Sequence, residues 1–282
     1  MSIFKTCDIR GLYGPELNDD TAYRLGRAVA SRWSGQETVV GGDLRLSTPA
    51  LKAALIEGLL ASGARVVDLG ILPTPAFYFA KHRLQAPAGI MVTASHNPAG
   101  YNGFKLMLGE LPITPEELQS LAQQMAARDF VRAQGTCRQA ALLEEYMASL
   151  RGAFGGLKRR RVVVDAGNGS MGTVAPPVLR ALGQRVDELY CAPDGSFPNR
   201  DPNPAVAKHL SDLGRLMLQV CADVGAAYDG DGDRVIFVDE QGRALPADRT
   251  LVLFVRHLLR QQPGAQVVYD IKCSSVVAEE VR

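Results

Sequence analysis

The sequence has little of what a disulfide-stabilised or zinc-binding protein needs. It contains five cysteines, none of them in a C-x-x-C pair: Cys7, Cys137, Cys191, Cys221 and Cys273. An odd number of widely spaced cysteines indicates neither a disulfide framework nor a zinc site. The four histidines show no H-x-x-E-H or H-x-x-x-H spacing, and three are expected to be surface or partly buried helix residues: His82, His209 and His257. We therefore expect a protein of the reducing cytoplasm.

Long hydrophobic runs and a large net charge are missing as well. The first ten residues, MSIFKTCDIR, interrupt each apolar stretch with charge, so we expect no signal peptide there. Residues 250–259, the most apolar late stretch, include Arg256 and His257 and are too few to cross a membrane. The formal net charge of +1 gives no reason to expect nucleic acid as a partner, although a local basic pocket could still hold a small phosphate.

The composition is that of a soluble globular protein, with 46% hydrophobic and 22% charged residues over 282 positions. This length predicts two domains or slightly more. Apolar segments rich in β-branched residues alternate with segments of helical period, as at 38–41, 47–63, 64–70 and 88–93. Such alternation is typical of an α/β fold with mainly parallel sheets. A capping box from Thr114 to Glu117 predicts the start of another helix.

The α/β rhythm repeats along the chain. LLASGARVVDLG (59–70) and VLRALGQRVDELY (178–190) each place the end of a helix, a glycine and a strand in the same order, which suggests a repeated unit. A third copy begins with a predicted helix at 250–262, continues with a strand and loop at 263–275 and stops inside a further helix. The predicted division is therefore one domain at 1–140, a second at 141–243 and an incomplete third at 244–282.

The strongest local signal is YDGDGDRVIFVD, in which three aspartates alternate with glycines: Asp229, Asp231 and Asp233. An extended backbone would send all three carboxylates to one face. Carboxylates that cluster repel one another unless a cation joins them, and a set of hard oxygen ligands favours Mg²⁺ over zinc. Arg234 follows directly, which suits a site that also holds a phosphate.

Two other interpretations of this segment are possible. A calcium EF-hand would use Glu240 as its twelfth residue, but it needs glycine where Arg234 stands. The following VIFV also predicts a strand rather than the rest of a calcium loop. A plain acidic surface turn stays as the alternative.

The segment VTASHNPAGYNGFKLM (92–107) places Ser95 in a loop after a predicted strand, directly before His96. Side chains of adjacent residues diverge in an extended chain, so we expect these two not to form a hydrolase dyad. The G-x-S-x-G elbow of α/β hydrolases is also missing. A serine in such a loop, with Lys105 further on, suits a phosphoryl carrier whose charge is held by cations. A turn serine without a chemical role is the alternative.

A third signal points elsewhere. GNGSMG (167–172) follows a predicted strand and matches the dinucleotide pattern G-x-G-x-x-G, with Asp187 and Glu188 further along the chain. Pro176 and Pro177 stand where the phosphate-binding helix should continue. We prefer a structural glycine turn and keep the dinucleotide site as the alternative.

These motifs together resemble the α-D-phosphohexomutase family, in its bacterial phosphomannomutase/phosphoglucomutase branch. The resemblance is carried by TASHNP with YNGFK, by DGDGDR, and by CDIRG at 7–11. GGDLRLSTPAL, VVVDAGNGSMG and DGSFPNRDPNP are also similar to family text, in the expected order. The resemblance covers the whole chain and implies repeated mixed and parallel α/β domains of phosphohexomutase type, with the third domain truncated.

The resemblance also implies roles for individual residues. Ser95 matches the family's phosphoryl-carrying serine, and His96 matches a histidine that assists proton transfer near it. The implied Mg²⁺ ligands are a phosphoserine oxygen of Ser95 and the three aspartates Asp229, Asp231 and Asp233. Positive residues around the phosphoryl group fall on Arg10, Lys105 and Arg234.

The implied activity interconverts the 1- and 6-phosphates of mannose or glucose through a phosphoserine and a 1,6-bisphosphate. Family members continue through a complete third domain and a fourth, so the loops that read the sugar and grip its second phosphate are missing here. We expect this chain alone to be weak or inactive, because such catalysis depends on positioning. The alternatives are a non-catalytic remnant that binds Mg²⁺ and phosphosugar and, more distantly, a nucleotide-cofactor binder.

Overall fold

A computed structural model of the protein describes residues 3–33 and 35–281. A first unit is built on a six-stranded sheet with the order β1-β5-β4-β2-β3-β6. Its strands are β1 (Ile9–Leu12), β2 (Glu37–Gly42), β3 (Arg65–Ile71), β4 (Ala88–Val92), β5 (Tyr101–Leu108) and β6 (Thr136–Gln139). β2 pairs in parallel with β3 and β4, and β3 pairs in parallel with β6, whereas β5 is antiparallel to both β4 and β1.

Helices cover both faces of this sheet because its central strands are apolar on both sides. Val40 and Ile90 pack towards helices α1 (Asp19–Arg32), α2 (Thr48–Leu60) and α4 (Pro115–Ala127). Val39 and Met91, one position away in each strand, pack on the other face against α3 (Thr74–Arg83). Strands buried on both faces have the nearly continuous hydrophobic runs seen in the sequence. The capping box predicted at the start of α4 is confirmed.

A second unit has a four-stranded sheet with the order β10-β9-β7-β8. Its strands are β7 (Arg161–Asp165), β8 (Arg185–Leu189), β9 (Val224–Tyr228) and β10 (Val235–Val238), and its helices are α6 (Ala175–Ala181) and α7 (Ser211–Val220). Short 3₁₀ helices lie at Ser170–Thr173 and Ala207–Leu210. Helix α5 (Leu143–Ala153) joins the two units, since Leu143 and Tyr146 contact the cores of both.

The predicted repeat is confirmed by the strand orders. β7 is parallel to β8 and β9, and β10 is antiparallel to β9. The order β5-β4-β2-β3 of the first sheet therefore has its counterpart in β10-β9-β7-β8. In both sheets the next two parallel strands are added on opposite sides of the first one. β3 and β4 flank β2 in the first sheet, and β8 and β9 flank β7 in the second. The strand order therefore reverses between β2 and β4 and between β7 and β9. Open α/β sheets bind ligands at the carboxyl ends of strands at such a switch point.

The last segment contains helices α8 (Ala247–Gln261) and α9 (Ser275–Val281). The strand predicted within 263–275 is wrong, because residues 265–270 have no regular structure. Val268 and Ile271 are each 95% exposed, and no strand of the described residues lies alongside to pair with this backbone. A single extended segment cannot satisfy its backbone groups alone. Within 3–33 and 35–281, no helix is long and apolar enough to span a membrane.

Candidate active site

Two loops meet at a hydrogen bond between the two units. One is the loop after β4 (93–101, the serine loop), and the other is the loop between β9 and β10 (229–234, the aspartate loop). Ser95 Oγ donates to Asp229 Oδ2 at 2.7 Å, although the two residues are 134 positions apart. Both side chains are buried. Each loop leaves the carboxyl end of a parallel strand beside its sheet's switch point, so the fold itself brings them face to face.

Three carboxylates of the second loop converge, with one ligand atom each lying within 4.8 Å of the others: Asp229, Asp231 and Asp233. The predicted extended backbone is wrong here. Gly232 N–H donates to Asp229 O at 3.2 Å, and Asp229 N–H donates to Arg234 O at 3.2 Å, which closes a turn. The carboxylates therefore converge because the chain turns, and not because alternate residues of a strand share a face.

Asp231 shows how this cluster suits a cation. Its Oδ2 accepts from Thr74 Oγ1 at 2.6 Å and from Lys105 Nζ at 2.6 Å. Its Oδ1 is buried and has no hydrogen-bond partner in the described part of the chain. An unsatisfied buried carboxylate oxygen beside two further carboxylates fits the ligand set of a hard divalent cation. Thr74, at the start of α3, was missed by the sequence analysis, because nothing in its surroundings indicates the contact.

Lys105 supplies positive charge to the same cluster. Its Nζ lies 2.6 Å from Asp231 Oδ2 and 2.5 Å from Asp233 Oδ2. Burial alone would lower the pKa of Lys105, but Asp231 and Asp233 raise that pKa above its ordinary value. Burial, followed by repulsion from Asp231 and Asp233, raises the pKa of Asp229. The cluster thus carries more negative charge than this single lysine offsets.

His96 lies closer to Ser95 than the sequence analysis expected. Ser95 adopts a left-handed backbone conformation, with φ of 52°, and its Oγ lies 3.4 Å from His96 Nδ1. The expectation that the two side chains diverge is wrong because it assumed an extended chain. The hydroxyl nevertheless donates to Asp229, and His96 Nδ1 accepts from Arg234 Nη1 at 2.8 Å. The arrangement therefore does not direct the serine proton to the imidazole as a hydrolase dyad would.

Burial and two nearby arginines oppose the protonation of His96. Burial, then Arg234 and Arg10, lower the pKa of His96. Arg10, in β1, donates to Asn97 Oδ1 at 3.0 Å and pairs with Asp8 at 2.5 Å, while its buried Nε has no partner among the residues described. All the predicted site residues are thus contributed by the two facing loops, β1 and β5.

Comparison with known proteins identifies the family of this chain. Residues 1–132 match the family model described as phosphoglucomutase/phosphomannomutase, alpha/beta/alpha domain I, and residues 144–242 match that of domain II. The chain belongs to the phosphoglucomutase/phosphomannomutase family. The resemblance found in the sequence motifs is confirmed.

Individual relatives agree with this assignment. A phosphomannomutase/phosphoglucomutase of Pseudomonas putida is 41% identical over 276 residues, covering 97% of this chain and 60% of the relative. A phosphoglucomutase of Neisseria meningitidis serogroup B is 36% identical over 285 residues, covering 99% of this chain and 62% of the relative. The X-ray structure of a phosphoglucomutase/phosphomannomutase family protein from Burkholderia thailandensis superposes with a TM-score of 0.95 at 39% identity, covering 99% of this chain and 64% of that one. The chain thus spans about three fifths of the length of these relatives.

Two buried arginines of this family member were missed as site residues. Arg45 lies just after β2 and pairs with Asp43, and Arg200 pairs with Asp165 at the end of β7. Arg200 also donates to Tyr228 O at 2.8 Å, directly before the aspartate loop. The sequence segments that contain these arginines were recognised only as family text. Their hydrogen bonds to backbone carbonyls leave no pattern that a sequence reading could detect.

The glycine-rich loop of the family member is a structural turn, as the sequence analysis preferred. The Arg200 guanidinium occupies the space beside Gly167, within 2.5 Å of where a Cβ would stand. Gly169 and the N–H of Ser170 pack on the backbone of Gly230. The loop therefore supports the aspartate turn, and its backbone is not free to approach a pyrophosphate.

A cavity of about 360 Å³ adjoins the serine loop. His96 and Asn97 line it from the first unit, and Asp201 and His209 line it from the second. His209, which was expected to be a surface or partly buried helix residue, is half-buried in a 3₁₀ helix, where its Nδ1 donates to Asn203 O at 2.8 Å. The volume falls within the usual range for small-molecule pockets.

Proposed function

We propose that this chain carries the phosphoryl-transfer centre of a phosphohexomutase, in which Ser95 bears the phosphoryl group. The reaction interconverts a hexose 1-phosphate and a hexose 6-phosphate, of mannose or glucose, through a 1,6-bisphosphate. The observation that carries the proposal is the 2.7 Å hydrogen bond from Ser95 Oγ to Asp229 within a cluster of three carboxylates. A hydroxyl held against carboxylates can carry a phosphoryl group only if cations offset the added charge.

The three aspartates and a phosphoserine oxygen would hold Mg²⁺. The unsatisfied Oδ1 of Asp231 and the all-oxygen ligand set support this choice. The ion would neutralise charge on the transferring group. Lys105, Arg234 and Arg10 contribute further positive charge from three different elements.

His96 is the candidate for moving a proton at the sugar hydroxyl. Its Nδ1 accepts from Arg234, so in the neutral ring the proton resides on Nε2. The cavity beside His96 gives a sugar phosphate access to this side of the serine loop. General acid–base catalysis requires a group that changes its protonation readily, and burial, followed by the neighbouring arginines, lowers the pKa of His96 and favours the neutral imidazole.

We take residues 1–140 and 141–243 as the two domains that build this centre and 244–282 as the start of a third. Because the chain spans about three fifths of its relatives' length, sustained turnover by these residues alone is expected to be weak. A substrate held by part of a binding cleft loses the orientation on which transfer depends.

Intact-mass spectrometry tests the phosphoryl carrier directly. The protein is incubated with glucose 1,6-bisphosphate and Mg²⁺, and one added phosphoryl group is expected. Ser95→Ala should abolish the addition, whereas Ser170→Ala should keep it, since Ser170 is also buried but its Oγ has no partner among the described residues. Absence of labelling in the unmodified protein, or labelling that persists in Ser95→Ala, contradicts the proposal.

A non-catalytic protein that binds Mg²⁺ and phosphosugar is the second candidate. The acidic cluster and the neighbouring cavity would serve binding without turnover as well. A coupled assay for glucose 6-phosphate formation separates the two, since sustained turnover that disappears in Ser95→Ala excludes the binding role. Sugar-phosphate affinity without turnover or labelling would favour it.

A further inference from the structure

Arg45 is completely buried, and its guanidinium is surrounded by backbone carbonyls of the serine loop. Its exposed fraction is 0%. Nε contacts Asp43 Oδ2 at 3.1 Å. Nη1 and Nη2 donate to four carbonyl oxygens at 2.6 to 2.9 Å, those of Ser95, Asn97, Pro98 and Tyr101. All five N–H groups of the guanidinium thus have acceptors, and four of them bind one short stretch of chain.

We propose that Arg45 is a positioning residue that holds Ser95 in the conformation from which its hydroxyl faces Asp229. This inference rests on the proposed function in so far as Ser95 is the phosphoryl carrier. The left-handed φ of 52° at Ser95 is unfavourable for a residue with a Cβ and persists only where the surroundings enforce it. Arg45 provides that enforcement through the Ser95 carbonyl.

Asp43 also acts, through Thr93, on the N–H side of Ser95. Thr93 Oγ1 donates to Asp43 Oδ2 at 2.7 Å and accepts from Ser95 N–H at 2.8 Å. Asp43 therefore fixes Thr93 and Arg45 together, and these two bind the N–H and the carbonyl of Ser95. The peptide groups on both sides of the serine are held, so its Cα–Cβ bond has a set direction.

Arg45 also contacts the second unit. Its guanidinium carbon lies 5.1 Å from the ring centroid of Phe197, within the range of a cation–π interaction. The Phe197 ring in turn packs beside Gly230, and Gly230 is the residue between Asp229 and Asp231 in the sequence. The same guanidinium thus contacts groups that support both the hydroxyl and the carboxylates.

The charge pair itself is not a good source of stability. Burial raises the pKa of Asp43 and lowers the pKa of Arg45, so the interior opposes both charges. Buried ion pairs often contribute less than apolar side chains of the same volume. An apolar replacement of Arg45 could not reproduce the geometry of its hydrogen bonds to the serine loop. Lysine could not reproduce it either, since an ammonium has three donors and lacks the planar fork.

Arg45→Lys tests the proposal, with Arg27→Lys as the matched control. Arg27 is also held by side-chain and backbone oxygens, those of Ser62, Tyr23 and Val131, and by two aromatic rings, but it contacts no residue of the serine loop. We expect Arg45→Lys to lower the rate of phosphoryl labelling at saturating glucose 1,6-bisphosphate by about 100-fold. The half-saturating concentration should stay near its wild-type value, and Arg27→Lys should label at the wild-type rate.

Hydrogen exchange provides a readout that does not depend on activity. Arg45→Lys should lose protection at Asn97 and Tyr101, whose N–H groups bond within the loop, while β7 and α6 keep theirs. If Arg45 were merely structural, the variant would lose protection in all these segments alike, and that result would overturn the proposal. Labelling of the variant at the wild-type rate would overturn it as well. If the wild-type protein is never labelled, the proposed function fails, and exchange at the loop still decides whether Arg45 positions it.

Phe197→Leu is the second variant if Arg45→Lys does not fold. It removes the ring over the guanidinium and leaves the hydrogen bonds of Arg45 in place. We expect a several-fold loss of labelling rate and faster exchange confined to the serine loop and the residues beside Gly230. Exchange and labelling equal to the wild type would overturn the coupling between the units.

Discussion

The two α/β units solve the same structural problem with differently placed residues. In each, an aspartate at the end of the central strand pairs with a buried arginine that donates to backbone carbonyls. Arg45 lies two positions after Asp43 and holds four carbonyls of the serine loop, whereas Arg200 comes 35 positions after Asp165 and holds the end of β9. The repeat thus supplies equivalent scaffolds, while Ser95 lies on one of them and the three clustered aspartates lie on the other.

The site depends on both units at once. The hydroxyl belongs to a loop of the first unit and the carboxylates belong to a loop of the second. Ser95 and Asp229 meet because each loop leaves the carboxyl end of a strand beside the switch point of its own sheet. Variants that break the contact between the units should therefore have larger effects than variants that disturb either scaffold.

The largest effect is expected from Asp231→Ala, which removes the carboxylate that Lys105 and Thr74 contact from the first unit. Phosphoryl labelling of Ser95 should fall about 1000-fold, because a preorganised charge at the transfer site is lost. Intact-mass time courses measure the rate. Asp239→Ala is the control, since Asp239 accepts bonds within a neighbouring turn. Labelling of the Asp231 variant at the control's rate would contradict the shared site.

Arg200→Met should destabilise the second unit by about 3 kcal/mol, because it leaves the buried Asp165 without its partner. Urea unfolding followed by circular dichroism measures the change. Arg138→Met is the control: its pair with Glu37 is half exposed, and a loss of at most about 1 kcal/mol is expected. Equal destabilisation by the two variants would show that the buried pair has no special role in the scaffold.

Lys105→Met separates the effect of the lysine from that of the proposed Mg²⁺. We expect labelling to fall about 100-fold, while Mg²⁺ binds at least as tightly as in the wild type, because Lys105 no longer occupies Asp231 and Asp233. Isothermal titration with Mg²⁺ and intact-mass labelling are compared on the same protein. A variant that loses Mg²⁺ binding and labelling together would instead place Lys105 in support of the ion.

The smallest effect tests the repeat itself. Gly63 follows α2 and Gly183 follows α6, with φ of 86° and 82°, and nothing lies within 4 Å of a Cβ added at Gly183. Gly63→Ala and Gly183→Ala should each cost about 1 kcal/mol, because each places a side chain on a left-handed backbone. Urea unfolding of both variants checks this. Clearly unequal costs would show that the two turns are not equivalent.

Much of the fold could be predicted because its signals are local. The continuous apolar runs of β2 and β4, the capping box of α4 and the repeated helix–glycine–strand order all arise from residues close together in sequence. The strand predicted within 263–275 failed for the opposite reason. Its residues have the composition of a strand, but a strand forms only where a neighbour accepts its hydrogen bonds.

The candidate site shows the same limit. The aspartates were found from their spacing, but the extended backbone inferred for them was wrong, because the loop turns back on Arg234. Ser95 and His96 were expected to diverge, because a left-handed serine cannot be foreseen from its neighbours. Thr74, Arg45 and Arg200 were missed as site residues, because their partners are distant carboxylates or backbone carbonyls.

The sequence by itself determined the α/β repeat, the acidic cluster and the serine loop, because each depends on the types and spacing of neighbouring residues. Only the tertiary structure decided that Ser95 faces Asp229, that Lys105 joins Asp231 to Asp233, and that a buried guanidinium fixes the serine backbone. These contacts join positions far apart in the chain. They form because parallel strands of both sheets end at the same place, which no local pattern specifies.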